Sequence, residues 1–146
     1  IYLVTEDAED ALEARRGLAL IGLDDVRGWF GPEVVRQYGD EMGKLASLAQ
    51  VESAEFDAVL QEPDVTLLDV RFDSERAEKR VEGSVHIPLG QLRARLDEVP
   101  RGGRVLVHCA GGVRSPMAAA ILRDAGFEEI LNLRDGLESV KLPAAV

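Results

Sequence analysis

Cysteine is almost missing from this sequence. Cys109 is the only one among 146 residues, which rules out an internal disulfide and any cysteine-based zinc cluster. His86 and His108 are the only histidines, so no metal-ligand cluster is expected and no other cofactor is called for. Long apolar runs are also lacking: stretches such as LALIGL are far shorter than a membrane span, and no charged-then-apolar secretory start is present. Positive charge is in deficit, with 17 Lys and Arg against 27 Asp and Glu and a net charge of -10. Such a surface repels nucleic acid and anionic membranes. The expectation is a cytoplasmic protein with neither as a partner, in which a site for an anion must create its own local positive potential.

What is present reads as alternating strands and helices. Val65 to Val70 (VTLLDV) and Val105 to His108 (VLVH) are short, β-branched, nearly continuous apolar runs, the pattern of strands buried on both faces of a parallel sheet. Helical patterns cover Ala54 to Gln61, Asp73 to Arg80, Leu89 to Leu96 and Pro116 to Ala125. This alternation predicts an α/β domain over residues 51–146, with a central parallel sheet and helices on both faces. In the last helix, Ser115 is expected as N-cap, Pro116 at the first helical position and Gly126 as the left-handed stop. Met117, Ile121, Leu122 and Ala125 are expected to form its packed face.

The front of the chain repeats the back. IYLVTEDAEDALEARRGLALIGLDDV aligns without a gap on VLVHCAGGVRSPMAAAILRDAGFEEI, at an offset of 104 positions that pairs Thr5 with Cys109 and Gly22 with Gly126. Residues 1–48 are therefore expected to be a βαβ half-domain repeat followed by a linker rich in glycine. Thr5 replaces the cysteine, and Glu6, Asp7, Glu9 and Asp10 fall across the loop, so this copy should be inert. The chain begins at Ile1 inside an apolar run, which reads as a fragment whose strand IYLV lacks partners.

The chemistry gathers in HCAGGVRS, between a strand end and a helix start. Such a loop places successive N–H groups around a hollow at the positive end of the helix dipole. Gly111 and Gly112 let the backbone curl, and Arg114 brings a permanent guanidinium. Helix N-termini and nearby cations lower a thiol pKa from about 8.5 to roughly 3.5–7.5, so Cys109 is a candidate nucleophile needing no separate base. A lone cysteine in an α/β domain is more often inert packing; the glycines, the arginine and the helix start raise it above that. His108 is as easily a core histidine as a residue tuning Cys109. Asp69 and Arg71 end the preceding strand at the same sheet edge, where Asp69 is expected to bond the loop backbone and Arg71 to draw in anionic donors; an ordinary salt-bridged strand end fits them equally well.

CAGGVRS, with LLDVR (Leu67 to Arg71) before it and GSVHIPLGQL (Gly83 to Leu92) between, resembles the rhodanese domain, a sulfurtransferase module. The resemblance covers residues 51–146. It implies that Cys109 carries a persulfide, that Ala110, Gly111, Gly112 and Val113 form a cradle of amides, and that Arg114 and Ser115 complete the substrate-binding loop. A small anionic donor such as thiosulfate and a thiol or cyanide-type acceptor would be the partners. The sequence departs from the family pattern at Lys79, Arg80, Val81 and Glu82, ahead of His86, Ile87 and Pro88, and at Pro116, which removes one donor from the rim. The front copy resembles half of a degenerate rhodanese domain, and the whole resembles the C-terminal part of proteins that join an upstream metallo-β-lactamase-like domain to rhodanese domains.

Two other classes compete. His-Cys followed by a glycine-rich loop and Arg-Ser also resembles a cysteine-dependent phosphatase or arsenate reductase. Only Ala110 to Val113 separate Cys109 from Arg114, however, one residue fewer than in the tyrosine-phosphatase loop, and the tighter ring should suit a sulfur better than a phosphate. The third class is a non-catalytic interaction module on a rhodanese fold.

Overall fold

Branched and apolar side chains make strands of VTLLD and RVLVH because they fit a pleat covered on both faces. The computed structural model describes residues 1–43 and 45–141. Lys44, in the expected linker, and positions 142–146, at the end of the expected domain, lie outside the described residues. The chain divides into two units, Ile1–Ser47 and Leu48–Val146.

The first unit runs β1 (Tyr2–Val4), α1 (Ala8–Leu20), β2 (Gly28–Phe30) and α2 (Glu33–Met42). β1 and β2 pair in parallel, with α1 as the crossover between them, so the expectation that IYLV lacks partners is corrected. Its partner, GWF, lies just past the matched repeat and is too short to stand out by pattern. Gly22, at φ +80°, and Gly126, at φ +84°, follow their helices in the same left-handed conformation. Asp7 caps α1, its carboxylate accepting from the N–H groups of Glu9 and Asp10 at 2.8 and 3.0 Å. The start of α1 is thus satisfied by its own acidic side chain.

The second unit contains β3 (Ala49–Val51), α3 (Phe56–Leu60), β4 (Val65–Asp69), α4 (Asp73–Glu78) and β5 (Val85–His86). Two 3-10 turns follow, Leu89–Ala94 and Leu96–Glu98, then β6 (Arg104–His108), α5 (Arg114–Asp124), β7 (Ile130–Leu133) and a last 3-10 turn, Leu137–Ser139. The sheet order is β3-β7-β6-β4-β5, and every pairing is parallel. This is the α/β architecture expected. On one face Leu68, Val70, Val105, Val107 and Cys109 meet Ala118, Ala119 and Leu122 of α5 and Leu92 of the first 3-10 turn. On the other, Leu67, Leu106 and Leu133 meet Phe56 of α3 and Leu137. Each such large side chain, once buried, contributes about 1.5–3 kcal/mol. Among the described residues no helix is long and apolar enough to cross a membrane.

Several helical expectations change in detail. The first two shorten to α3 and α4, and Leu89 to Leu96 forms 3-10 turns, with Gln91 N–H on the Pro88 carbonyl at 2.7 Å and Arg95 N–H on that of Leu92 at 3.2 Å. Gly90 weakens an α-helix there, and Leu92 alone of that turn is driven wholly into the core. In α5 the buried residues are Ser115, Ala118, Ala119 and Leu122. Ile121 and Ala125 flank the core, whereas Met117 is exposed, because the paired alanines are what let the helix lie close on the sheet.

Candidate active site

Cys109 follows the last residue of β6, and alternation along that strand turns its side chain to the face covered by α5. The residue is 1% exposed. Ser115 was expected to cap the helix; instead α5 starts at Arg114, Val113 holds the cap position, and the wholly buried Ser115 directs its hydroxyl at Cys109, with Oγ 3.6 Å from Sγ. The physical reason is that the orphan N–H groups of the helix start already have a partner in the sulfur. Burial pushes the Cys109 thiol up. Hydrogen bonding from the Ser115 hydroxyl, and then from the N–H groups of Ser115, Arg114 and Gly112, outweighs this and holds its pKa below the ordinary thiol value.

The loop is seated from behind by the segment that follows β7, which the sequence reading did not single out. The Cys109 carbonyl accepts from Leu137 N–H at 2.8 Å and the Ala110 carbonyl from Glu138 N–H at 3.1 Å. Gly136, at φ +69°, lies so close that a Cβ there would run into the Ala110 carbonyl, and one on Gly112, at φ +83°, would run into the carbonyl of Arg134. The Asp-Gly pair after strand LNL was the available signal for this segment. Gly111 faces Glu138, and Val113 is exposed on the rim.

Arg114 does not stand free over the loop. Its two terminal nitrogens donate to Glu75 Oε2 and Oε1, both at 2.6 Å, and its guanidinium lies 5.0 Å from the centre of the Phe72 ring. Arg114 pulls the Glu75 carboxyl down to about 2, against a burial effect that raises it, and the Phe72 N–H at 3.0 Å adds to the pull. Sequence reading missed both Glu75 and Phe72.

Asp69 and Arg71 are placed otherwise than expected. Asp69 is buried and accepts from Arg71 N–H, Nε and Nη2 at 3.0, 2.9 and 2.7 Å. Arg71 is itself buried and also donates to the carbonyls of Glu75 and Lys79 at 3.2 and 2.6 Å. Neither the bond from Asp69 to the Cys109 loop nor a free Arg71 is present, because strand alternation turns Asp69 to the Leu67 face, opposite the thiol, where a buried carboxylate requires its nearest guanidinium. His108 faces the same way: its Nε2 is 3.8 Å from Asp69 Oδ2 and its Nδ1 3.4 Å from the Cys109 carbonyl. Burial lowers its pKa to about 4, against the pull of Asp69, so it is neutral at pH 7. His108 is a core histidine rather than a charge beside the thiol. Among the described residues no three His, Cys, Asp or Glu side chains gather to hold a metal ion.

The arrangement is a buried sulfur met by a hydroxyl and a ring of amides at a helix start, fit to hold negative charge on Sγ or on an atom attached to it. Residues 52–142 match the family model described as the rhodanese-like domain. The chain belongs to the rhodanese-like family. It is 34% identical over 74 residues to a sulfurtransferase of Allochromatium vinosum, covering 51% of this chain and 69% of that one. A putative sulfur carrier protein of Bacillus subtilis is 29% identical over 111 residues, covering 72% of this chain and 60% of its own length. Among solved structures, an NAD-dependent persulfide reductase from A. fulgidus superposes with a TM-score of 0.52 at 34% identity, over 73% of this rhodanese-like chain but 17% of the reductase.

Proposed function

We propose that the protein is a single-cysteine sulfurtransferase that moves sulfane sulfur, from thiosulfate or a persulfide, to a thiophilic acceptor as a Cys109 persulfide. The observation that carries this reading is the set of N–H groups of Gly112, Arg114 and Ser115 turned on Sγ together with the Ser115 hydroxyl. In the first half-reaction the Cys109 thiolate attacks the outer sulfur of the donor, the donor's sulfur–sulfur or sulfur–sulfonate bond breaks, and Cys109–S–S⁻ forms. In the second, an acceptor thiolate or cyanide takes the outer sulfur and the thiolate is restored. The amide ring stabilises negative charge before and after each transfer. The sulfurtransferase and sulfur-carrier names of the relatives support this chemistry. The proposal extends to a cytoplasmic setting and to an upstream metallo-β-lactamase-like domain in the full-length chain.

Intact-mass measurement tests it. After thiosulfate or a small persulfide the mass should rise by one sulfur atom, reversibly with cyanide or a reductant, and Cys109→Ser should show no gain. If no donor modifies Cys109, the fold serves as an interaction module instead. Turnover of aryl phosphates faster than sulfur transfer would make it a phosphatase.

A further inference from the structure

The charges around the Cys109 loop bear on which donor it accepts. Arg114, the guanidinium of the loop, is engaged on both terminal nitrogens by Glu75 at 2.6 Å and lies over Phe72. A second carboxylate stands on the other side: Glu138 Oε2 is 3.9 Å from where a Cβ on Gly111 would be. Neighbouring cations are committed elsewhere. Arg71 is turned inward to Asp69, Lys79 donates to the carbonyls of Leu137 and Val140 at 3.2 Å each, and Arg134 pairs with Glu52 at 2.6 Å. Phe72 and Val113, 64% and 71% exposed, add apolar surface to the rim. The loop therefore offers its amides to one sulfur, with the Arg114 guanidinium also reaching Cys109, while most of that cation's charge is matched by Glu75 and a second carboxylate stands near Gly111.

We propose that Glu75, by engaging Arg114, is a specificity-determining residue that makes the donor a persulfide rather than thiosulfate, an inference that rests on the sulfur-transfer reading of the same site. With a persulfide, the Cys109 thiolate attacks the outer sulfur of R–S–SH, the donor S–S bond breaks, Cys109–S–SH forms, and the electron pair leaves on R–S⁻. A single negative charge is passed along. With thiosulfate, a dianion must approach a thiolate and depart as sulfite dianion beside Glu75 and Glu138. Like charges brought together in a partly buried site are strongly disfavoured, and the repulsive element sets selectivity. Apolar Phe72 and Val113 suit the R group of a persulfide and offer nothing to a sulfonate.

The test compares thiosulfate, a dianion, with benzyl persulfide, whose R group carries no charge. The wild-type kcat/KM should favour the persulfide by at least about tenfold. Glu75→Gln keeps an acceptor for the Phe72 N–H but removes the charge, so the ratio of thiosulfate to persulfide kcat/KM should rise at least about tenfold, chiefly through a lower thiosulfate KM. A residue that only supported the loop would lower both donors together. Wild-type preference for thiosulfate, or an unchanged ratio in a folded Glu75→Gln variant, overturns the proposal while leaving sulfur transfer standing. If the variant does not fold, the wild-type preference decides. If neither donor adds sulfur to Cys109 by intact mass, the sulfur-transfer reading falls, and this inference with it.

Discussion

Replacing Ser115 by alanine should make the Cys109 thiol harder to ionise. The Ser115 hydroxyl is the strongest of the groups that lower the Cys109 pKa, and it sits 3.6 Å from Sγ in a wholly buried position that water does not refill. A hydrogen bond to a charged group contributes about 1.5–3 kcal/mol, and each pKa unit corresponds to about 1.4 kcal/mol. The thiol pKa should therefore rise, since burial, which pushes it up, is then opposed chiefly by the amides of Ser115, Arg114 and Gly112. Alanine is a better helix former than serine, so α5 should be preserved. The assay is the pH dependence of Cys109 alkylation by iodoacetamide, run beside sulfur transfer on the same samples. At neutral pH both should fall by roughly tenfold or more, and both should recover as pH is raised. Superimposable alkylation profiles for wild type and variant, or a loss of transfer equal at every pH, would refute the assignment of the hydroxyl to thiolate stabilisation.

Gly136→Ala should lower stability by at least about 2 kcal/mol in denaturant unfolding, because φ +69° with ψ -176° is a glycine conformation and the new Cβ meets the Ala110 carbonyl; full stability would show that the segment yields freely. One glycine inserted between Gly112 and Val113 should cut sulfur transfer by at least about tenfold, through loss of a charge-assisted bond in the transition state, and unchanged turnover would remove ring size as a discriminator. For His108, the folded-state pKa of about 4 lies below the ordinary 6.5, so the unfolded chain binds more protons between those values. Its stabilisation is complete above about pH 6.5 and is lost as pH falls towards 4, by on the order of 3 kcal/mol. Unfolding curves across this range should be flatter for His108→Gln, and equal slopes would show that His108 is not the group responsible.

Where structure depends on neighbours in sequence, the sequence was readable. The apolar run Val65 to Val70 and the run ending at His108 had no environment but a two-sided sheet, and HCAGGVRS carried its own strand, glycines and helix start. Gly22 and Gly126, paired by the offset of 104, both take the left-handed conformation that a glycine after a helix suggests. What was not readable depended on partners brought by the fold. Ser115 looks like a cap from its place before Pro116, and only the sulfur beneath the helix start changes its role. Glu75 and Phe72 lie in a polar stretch of ordinary helical appearance, and they matter because β4 and β6 are neighbours in the sheet and bring α4 beside Arg114. Asp69 and Arg71 were placed at the right edge but the wrong face, since a strand end leaves open which side of the sheet its last residue faces.

The contacts of Leu137 and Glu138 with the carbonyls of Cys109 and Ala110 give the site an order in time. A peptide plane carries its carbonyl and its N–H on opposite sides, so fixing those two oxygens also fixes the planes of the Ala110 and Gly111 amides, from which the rest of the loop sets out. During synthesis the thiol leaves the ribosome well before the residues that fix those planes, and domains fold as units once their parts are available. Until the turn at Leu137–Ser139 closes, the carbonyls of Cys109 and Ala110 lack these partners, so the seat of the loop is completed by the last turn of the domain to be synthesised among the described residues.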